Sequence, residues 1–237
     1  MSCWIFLTAF IQTALPVYAQ VDQITVFSSA DAFIDSSAPD ANFGTGDLTI
    51  TNSSLQRMII WLKFNLSDVP DGAVITSAIL QLKCNSAPEP FNVSSHFCSD
   101  NDWTEASITY NNAPWYDPTP MPDMCPTCGS KNWALVDAPL QWYLWDVTFA
   151  VNQTLDGVHG GPDVVTIVLE ERWEHPQGVV AAFVSRDGPF QDTPKMRVAW
   201  SHIIPEFPTF HLATFLLTTT LLLPFMIRRK PETTHPA

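Results

Sequence analysis

The sequence predicts an all-β protein, a sandwich of two antiparallel sheets around one core. Short runs rich in β-branched and aromatic residues recur along the chain with no long helical period between them. Twenty Pro against nine Gly point to many rigid, extended connections. With 46% hydrophobic and 15% charged residues, the composition is that of a folded chain rather than a disordered one.

Taken in order, residues 24–28, 32–35 and 47–51 read as short strands separated by Ser, Asp, Pro and Gly. Residues 57–66 give the clearest alternation. Met58, Ile60, Leu62 and Phe64 point one way, Ile59, Trp61 and Lys63 the other, so the second face is also partly covered. After the turn Ser67-Asp68-Val69-Pro70-Asp71-Gly72, residues 74–84 repeat the pattern with Val74, Ala78, Leu80 and Leu82 on one side. Residues 91–98, 142–148, 164–170, 180–185 and 195–200 complete about ten strands, and residues 146–155 are expected to hold one or two helical turns with Asp146 as N-cap.

Both ends read as membrane or export segments. Residues 1–19 have an apolar centre at 3–11 and a small-residue cleavage site at Val17-Tyr18-Ala19, although no Lys or Arg precedes the run, which leaves an uncleaved anchor open. Residues 210–227 are uncharged and largely apolar; at ~1.5 Å per residue they span about 27 Å, enough for a bilayer core. Arg228, Arg229 and Lys230 follow at once and place residues 231–237 in the cytoplasm, with residues 20–204 outside as a cell-surface domain.

With Arg228, Arg229, Lys230 and Glu232 set aside, the chain carries about −15, which repels phosphate backbones and excludes nucleic acid as a partner. Cys84, Cys98, Cys125 and Cys128 form an even set in an exported chain and are expected in disulfides, Cys84 with Cys98 and Cys125 with Cys128. A zinc site or a redox pair at Cys125-Pro126-Thr127-Cys128 has the right local spacing, but the remaining cysteines are poorly placed for zinc and no helix start is near. Sequons at Asn52, Asn65, Asn92 and Asn152 mark expected N-glycosylation positions.

The stretch Asn101-Asp102-Trp103-Thr104-Glu105 followed by Ile108-Thr109-Tyr110-Asn111-Asn112-Ala113-Pro114 is the most informative in the chain. Read with residues 57–66 and 77–82, it resembles the DNRLRE domain, also classed as the family 96 carbohydrate-binding module, over roughly residues 24–201. The resemblance implies a jelly-roll sandwich that binds polysaccharide or surface glycan without catalysis. Pro205-Glu206-Phe207-Pro208 before the apolar run and the basic cluster resembles the PEF-type sorting signals of archaeal surface proteins; a plain single-pass anchor reads equally well. Some relatives accompany lyases acting on acidic polymers, whereas this chain has no catalytic domain and would repel a polyanion unless calcium bridged the two.

Glycan binding asks for flat aromatic faces with amides and carboxylates around them. Trp103 and Tyr110 lie in the shared scaffold and are expected to pack; Trp115, Tyr116 and Trp173, with Asn111 and Asn112, are the expected ligand contacts. Asp31, Asp35, Asp40 and Asp47 flank one early connection and are the expected ligands should structural calcium be bound. No Gly-x-Ser-x-Gly or His-Glu-x-x-His frame is present, which argues against an enzyme; a structural or adhesive sandwich that recognises another protein is the main competing reading, and a small polysaccharide-degrading enzyme the second.

Overall fold

The computed structural model describes residues 21–116, 118–122, 131–156, 163–172 and 180–201. The expected signal segment, the apolar run at 210–227 with its flanking motifs, Cys125, Cys128 and Trp173 lie outside the described residues. Among the described residues no helix is long and apolar enough to cross a membrane.

The described residues form ten strands: β1 (Val21–Asp35), β2 (Leu48–Asn52), β3 (Arg57–Asn65), β4 (Val74–Ser86), β5 (Phe91–Cys98), β6 (Trp133–Val136), β7 (Trp142–Asp146), β8 (Val164–Glu171), β9 (Ala181–Phe183) and β10 (Lys195–Ser201). All strand pairings are antiparallel. One sheet runs β1–β10–β4–β7 and the other β1–β3–β8–β5–β6, with β2 and β9 bridging β3 to β4.

β1 belongs to both sheets. Residues 21–27 pair with β10, and after a bulge between Ser28 and Ala30 the same strand pairs with β3 through Asp35. The small residues Ser28, Ser29 and Ala30 let the strand bend there, so two expected strands are one. The pairings β1–β10–β4–β9–β2–β3–β1 close a complete circuit and leave no open edge on that side.

Between the sheets, β3 contributes Ile60, Leu62 and Phe64, β4 contributes Ala78, Leu80, Leu82 and Cys84, and β8 contributes Val165, Ile167 and Leu169. Val74 departs from the expected alternation: the register shifts between Ala199 and Trp200, which turns Ile75 into the core and leaves Val74 44% exposed. Helix α1 (Thr148–Leu155) follows β7; its N-cap is Val147, and Asp146, one residue earlier, accepts the Thr148 backbone N–H at 3.0 Å. β6 was not legible as a strand.

Cys84 and Cys98 are free, buried thiols, so the expected bridge between them is not formed. β4 and β5 are consecutive in sequence but lie in different sheets, with Cys84 in the inter-sheet core and Cys98 in a separate cluster on the outer face of the second sheet. Burial pushes both thiols up to about 11, which leaves a thiolate fraction of about 10⁻⁴ at pH 7. Alkylation of the native full chain should spare both cysteines and label them only after unfolding; recovery of a cross-linked Cys84–Cys98 peptide under non-reducing conditions would contradict this.

Candidate functional site: the covered outer face of the second sheet

The second sheet is apolar on both faces, and the reason lies in the period-2 pattern. Ala30, Ala32 and Ile34 of β1, Ile59 and Trp61 of β3, Val168 of β8 and Cys98 of β5 point away from the core into a second buried cluster. The segment after β5 closes over it with Trp103 and Ile108, both buried, and with Tyr110, Ala113 and Tyr116 packed against the rim.

Local hydrogen bonds explain why the Asp-Trp-Thr-Glu stretch takes this path. The Trp103 indole N–H donates to Thr166 Oγ1 at 3.0 Å, and Thr166 in turn donates to Asn101 Oδ1 at 2.6 Å. Lys63 reaches out from β3 to the carbonyls of Asn101 and Trp103, its ammonium 4.5 Å from the Trp103 ring centroid. Glu105 accepts from the Asp31 backbone N–H at 3.2 Å and from Arg186 at 2.9 Å, while Asn42 donates to the carbonyls of Glu105 and Ile108. A Cβ on Gly44 would fall 2.1 Å from the Glu105 carbonyl oxygen, so only glycine fits under this turn.

Beyond that turn the chain leaves two shallow depressions on either side of Trp115 and Tyr116. One, of about 380 Å³, is lined by Arg57, Trp61, Tyr110, Trp115 and Tyr116 with Pro114 and Pro118; the other, of about 320 Å³, by Phe97, Ser99, Trp115, Tyr116, Phe149 and Gln153 among others. Both volumes fall at the small end of the ~300–1,000 Å³ typical of ligand sites. Trp115 is 77% exposed, the one exposed Trp or Tyr among the described residues.

Tyr116 is placed differently from its neighbour. Half-buried, it stands edge-on to Trp61 at 5.7 Å and to His96 at 5.6 Å, and His96 Nε2 shares a 2.9 Å hydrogen bond with Ser94 Oγ. Its hydroxyl donates to Glu170 Oε2 at 2.6 Å and accepts from Arg57 Nη2 at 3.2 Å. Arg57 Nε donates to Glu170 Oε1 at 3.0 Å, and Nη2 contacts the same oxygen. Burial and the Glu170 carboxylate together hold the Tyr116 phenol well above its ordinary range. For Arg57, burial works against the charge, but the Tyr116 and Glu170 oxygens outweigh it and raise its pKa. Sequence reasoning missed Arg57 and Glu170, although their parity with Ile59 and Val168 on this face was a usable signal.

The other expected site residues are dispersed. Asn111 donates to Asp40 Oδ1 at 2.8 Å, and Asn112 accepts the Thr109 N–H and donates to the Ser107 carbonyl, so both amides fasten the cover. Of the four aspartates expected around calcium, Asp31 is buried against Ser28 and the Arg186 backbone, Asp35 accepts from Ser37 and Gln56, Asp40 takes Asn111 and Asp47 takes Asn85. They do not converge, and among the described residues no group of three or more His, Cys, Asp or Glu is arranged to hold a metal ion. Among the sequon residues, Asn65 is exposed and Asn52, Asn92 and Asn152 are half-buried.

Strands β2 to β9, nearly all of β1, the covering segment and the aromatic rim fall within a single sequence match, residues 22–189 against the model of carbohydrate-binding module family 96; β10 lies beyond it. The chain belongs to this family. No curated protein matches it. As a family 96 module its function class is carbohydrate binding, and the Trp115 ridge is the one place among the described residues where an open indole face adjoins two depressions.

Proposed function

We propose that this module binds glycan without catalysis along the Trp115 ridge, one sugar ring stacking on the indole and its neighbours entering the depressions on either side. The observation that carries the reading is the exposure of Trp115 beside fixed neighbours, its carbonyl accepting from Cys98 Sγ at 3.5 Å and the adjacent Tyr116 hydroxyl donating to Glu170: a large apolar face held in water by an anchored backbone is pre-organised for a ligand. Hydroxyl and amide groups at Ser99, Thr119 and Gln153 line the flanking depression and suit sugar hydroxyls. No carboxylate lines either depression among the described residues, so the pair of acids that glycoside hydrolysis uses has no counterpart in them.

The sequence supports display at the cell surface. Residues 210–227 and the Arg228-Arg229-Lys230 cluster supply an anchor, with the module held outside.

Trp115→Ala in the full chain should weaken binding to a retained polysaccharide by about 2 kcal/mol, a factor of ~30, because the stacking area is lost while the fold is kept. Affinity electrophoresis against a polysaccharide panel measures this. Binding that survives the change undiminished would remove the ridge as the site.

A further inference from the structure

We infer that the outer face of the first sheet docks on an anionic lipid surface and lays the module along its own membrane, with the Trp115 ridge on the opposite face of the sandwich turned away. The inference rests on the cell-surface display proposed above.

Strand parity builds this face. Met196 and Val198 of β10, Leu80 and Leu82 of β4, and Tyr143 and Trp145 of β7 fill the core, so the residues between them point out of the sandwich. Phe27, Lys195, Gln81 and Leu144 stand side by side in one row across four strands, with Thr25 paired to Arg197 on one side of the row and Lys83 paired to Trp142 on the other. Phe190, in the turn before β10, lies against Phe27 with ring centroids 4.8 Å apart, and the Lys195 ammonium sits 3.9 Å from the Trp142 ring centroid. Phe190, Leu144 and Phe27 are 72%, 40% and 38% exposed, so this face stays open where the second sheet is covered.

Its charge is opposite to that of the chain. The chain has 24 Asp and Glu against 11 Lys and Arg, yet β4 and β10 contain no acid, and the one acid of β7, Asp146, is buried. Asp22 of β1 shares the inward side with its partner Trp200. Lys83 is paired with Asp192 at 2.8 Å, which leaves Lys195 and the exposed Arg197 to set the sign. Cations beside exposed phenylalanine and leucine suit a lipid interface: the apolar groups enter the headgroup boundary and the basic ones meet anionic headgroups. The rest of the chain, with its excess of acids, is repelled by the same surface, which turns this face towards it. The tether favours this partner over a soluble one. Residues 202–209 join β10 to the apolar run and span at most about 28 Å when extended, so β10 meets the bilayer at high effective concentration.

The full chain should be reconstituted in vesicles of phosphatidylcholine with about 30% phosphatidylglycerol and compared with the same chain in neutral detergent micelles by hydroxyl-radical footprinting, which reads the exposure of each side chain. Labelling of Phe27, Phe190 and Leu144 should fall at least about threefold on the vesicles while Trp115 stays unchanged, and the protection should be lost at about 0.5 M salt and in the Lys195→Glu, Arg197→Glu double variant. That result supports the inference. A chain that floats with the vesicles but is labelled as in micelles overturns the docking face and leaves the anchor in place. A chain that does not float with them overturns the display reading and the inference together. Protection of the same three residues in micelles by a soluble polysaccharide makes this face a second sugar surface and overturns the lipid. Protection that survives both salt and the charge reversal overturns the part given to Lys195 and Arg197.

Discussion

Trp103→Ala should destabilise the module by about 3–5 kcal/mol, the usual cost of emptying a buried tryptophan site. Trp103 is 5% exposed and stands edge-on to Trp61 at 6.0 Å. Its loss also leaves Thr166 Oγ1 without its donor and Lys63 without the ring beneath its ammonium. Against a net stability of about 5–15 kcal/mol for a domain, the loss is large and should lower the melting temperature by ~10 °C. The damage should be local first: residues 99–116 lose the plug that holds them to β3 and β8, so limited proteolysis should cut there before it cuts the sheets. Trp103→Phe separates the two contributions, since it keeps most of the volume and removes only the hydrogen bond, at a cost of about 1 kcal/mol. A Trp103→Ala protein that melts within 2 °C of the parent would refute this account of the cover.

Acidification from pH 8 to 5.5 should stabilise the module, the reverse of the common trend. Burial raises Asp31 to about 7, with the Arg186 backbone N–H opposing and Glu105 adding to the rise; burial likewise raises Glu171 to about 7 against the Asn52 N–H. Both folded-state values lie above the unfolded carboxyl range, so the folded state binds these protons more tightly. Their contribution is fully present below the unfolded values and is lost as pH climbs through 7. For the pair, about 2–4 kcal/mol should separate pH 8 from pH 5.5. Melting temperature against pH checks this, and Asp31→Asn, which fixes the neutral form and keeps an acceptor for Arg186, should flatten roughly half of the slope. A melting temperature that falls steadily from pH 8 to 5.5 would show that both carboxyls are ionised in the fold throughout.

Much of the fold was legible because its signal is local. The alternation of Ile60, Leu62 and Phe64 with Ile59 and Trp61 identified β3 and showed that its second face is covered, which is what the cover over Trp61 does. β6 is four residues long, follows a Pro-rich stretch and has too little period to read. The continuity of β1 was hidden for a related reason: the small polar residues at its bend look like a break in isolation and are a bulge only once β3 and β10 are in place. Proximity in sequence misled at Cys84 and Cys98: consecutive strands are usually neighbours, but here β4 and β5 lie in different sheets. At the site, the exposure of Trp115 could be read from its proline neighbour. Tyr116 could not, because its partners Arg57 and Glu170 are 59 and 54 residues away and meet it only through the β3–β8 pairing.

The bent first strand has a consequence for how the protein is made. Val21 pairs with Ser201, so the first strand to emerge during synthesis waits for the last before both of its halves are satisfied. Until then the chain holds two half-built sheets whose shared strand presents unpaired backbone, a template for a neighbouring chain. Contacts of such long sequence separation close slowly. Folding of this module is therefore expected to be a late, all-at-once event, and its exposure to mispairing ends only when residues 195–201 arrive.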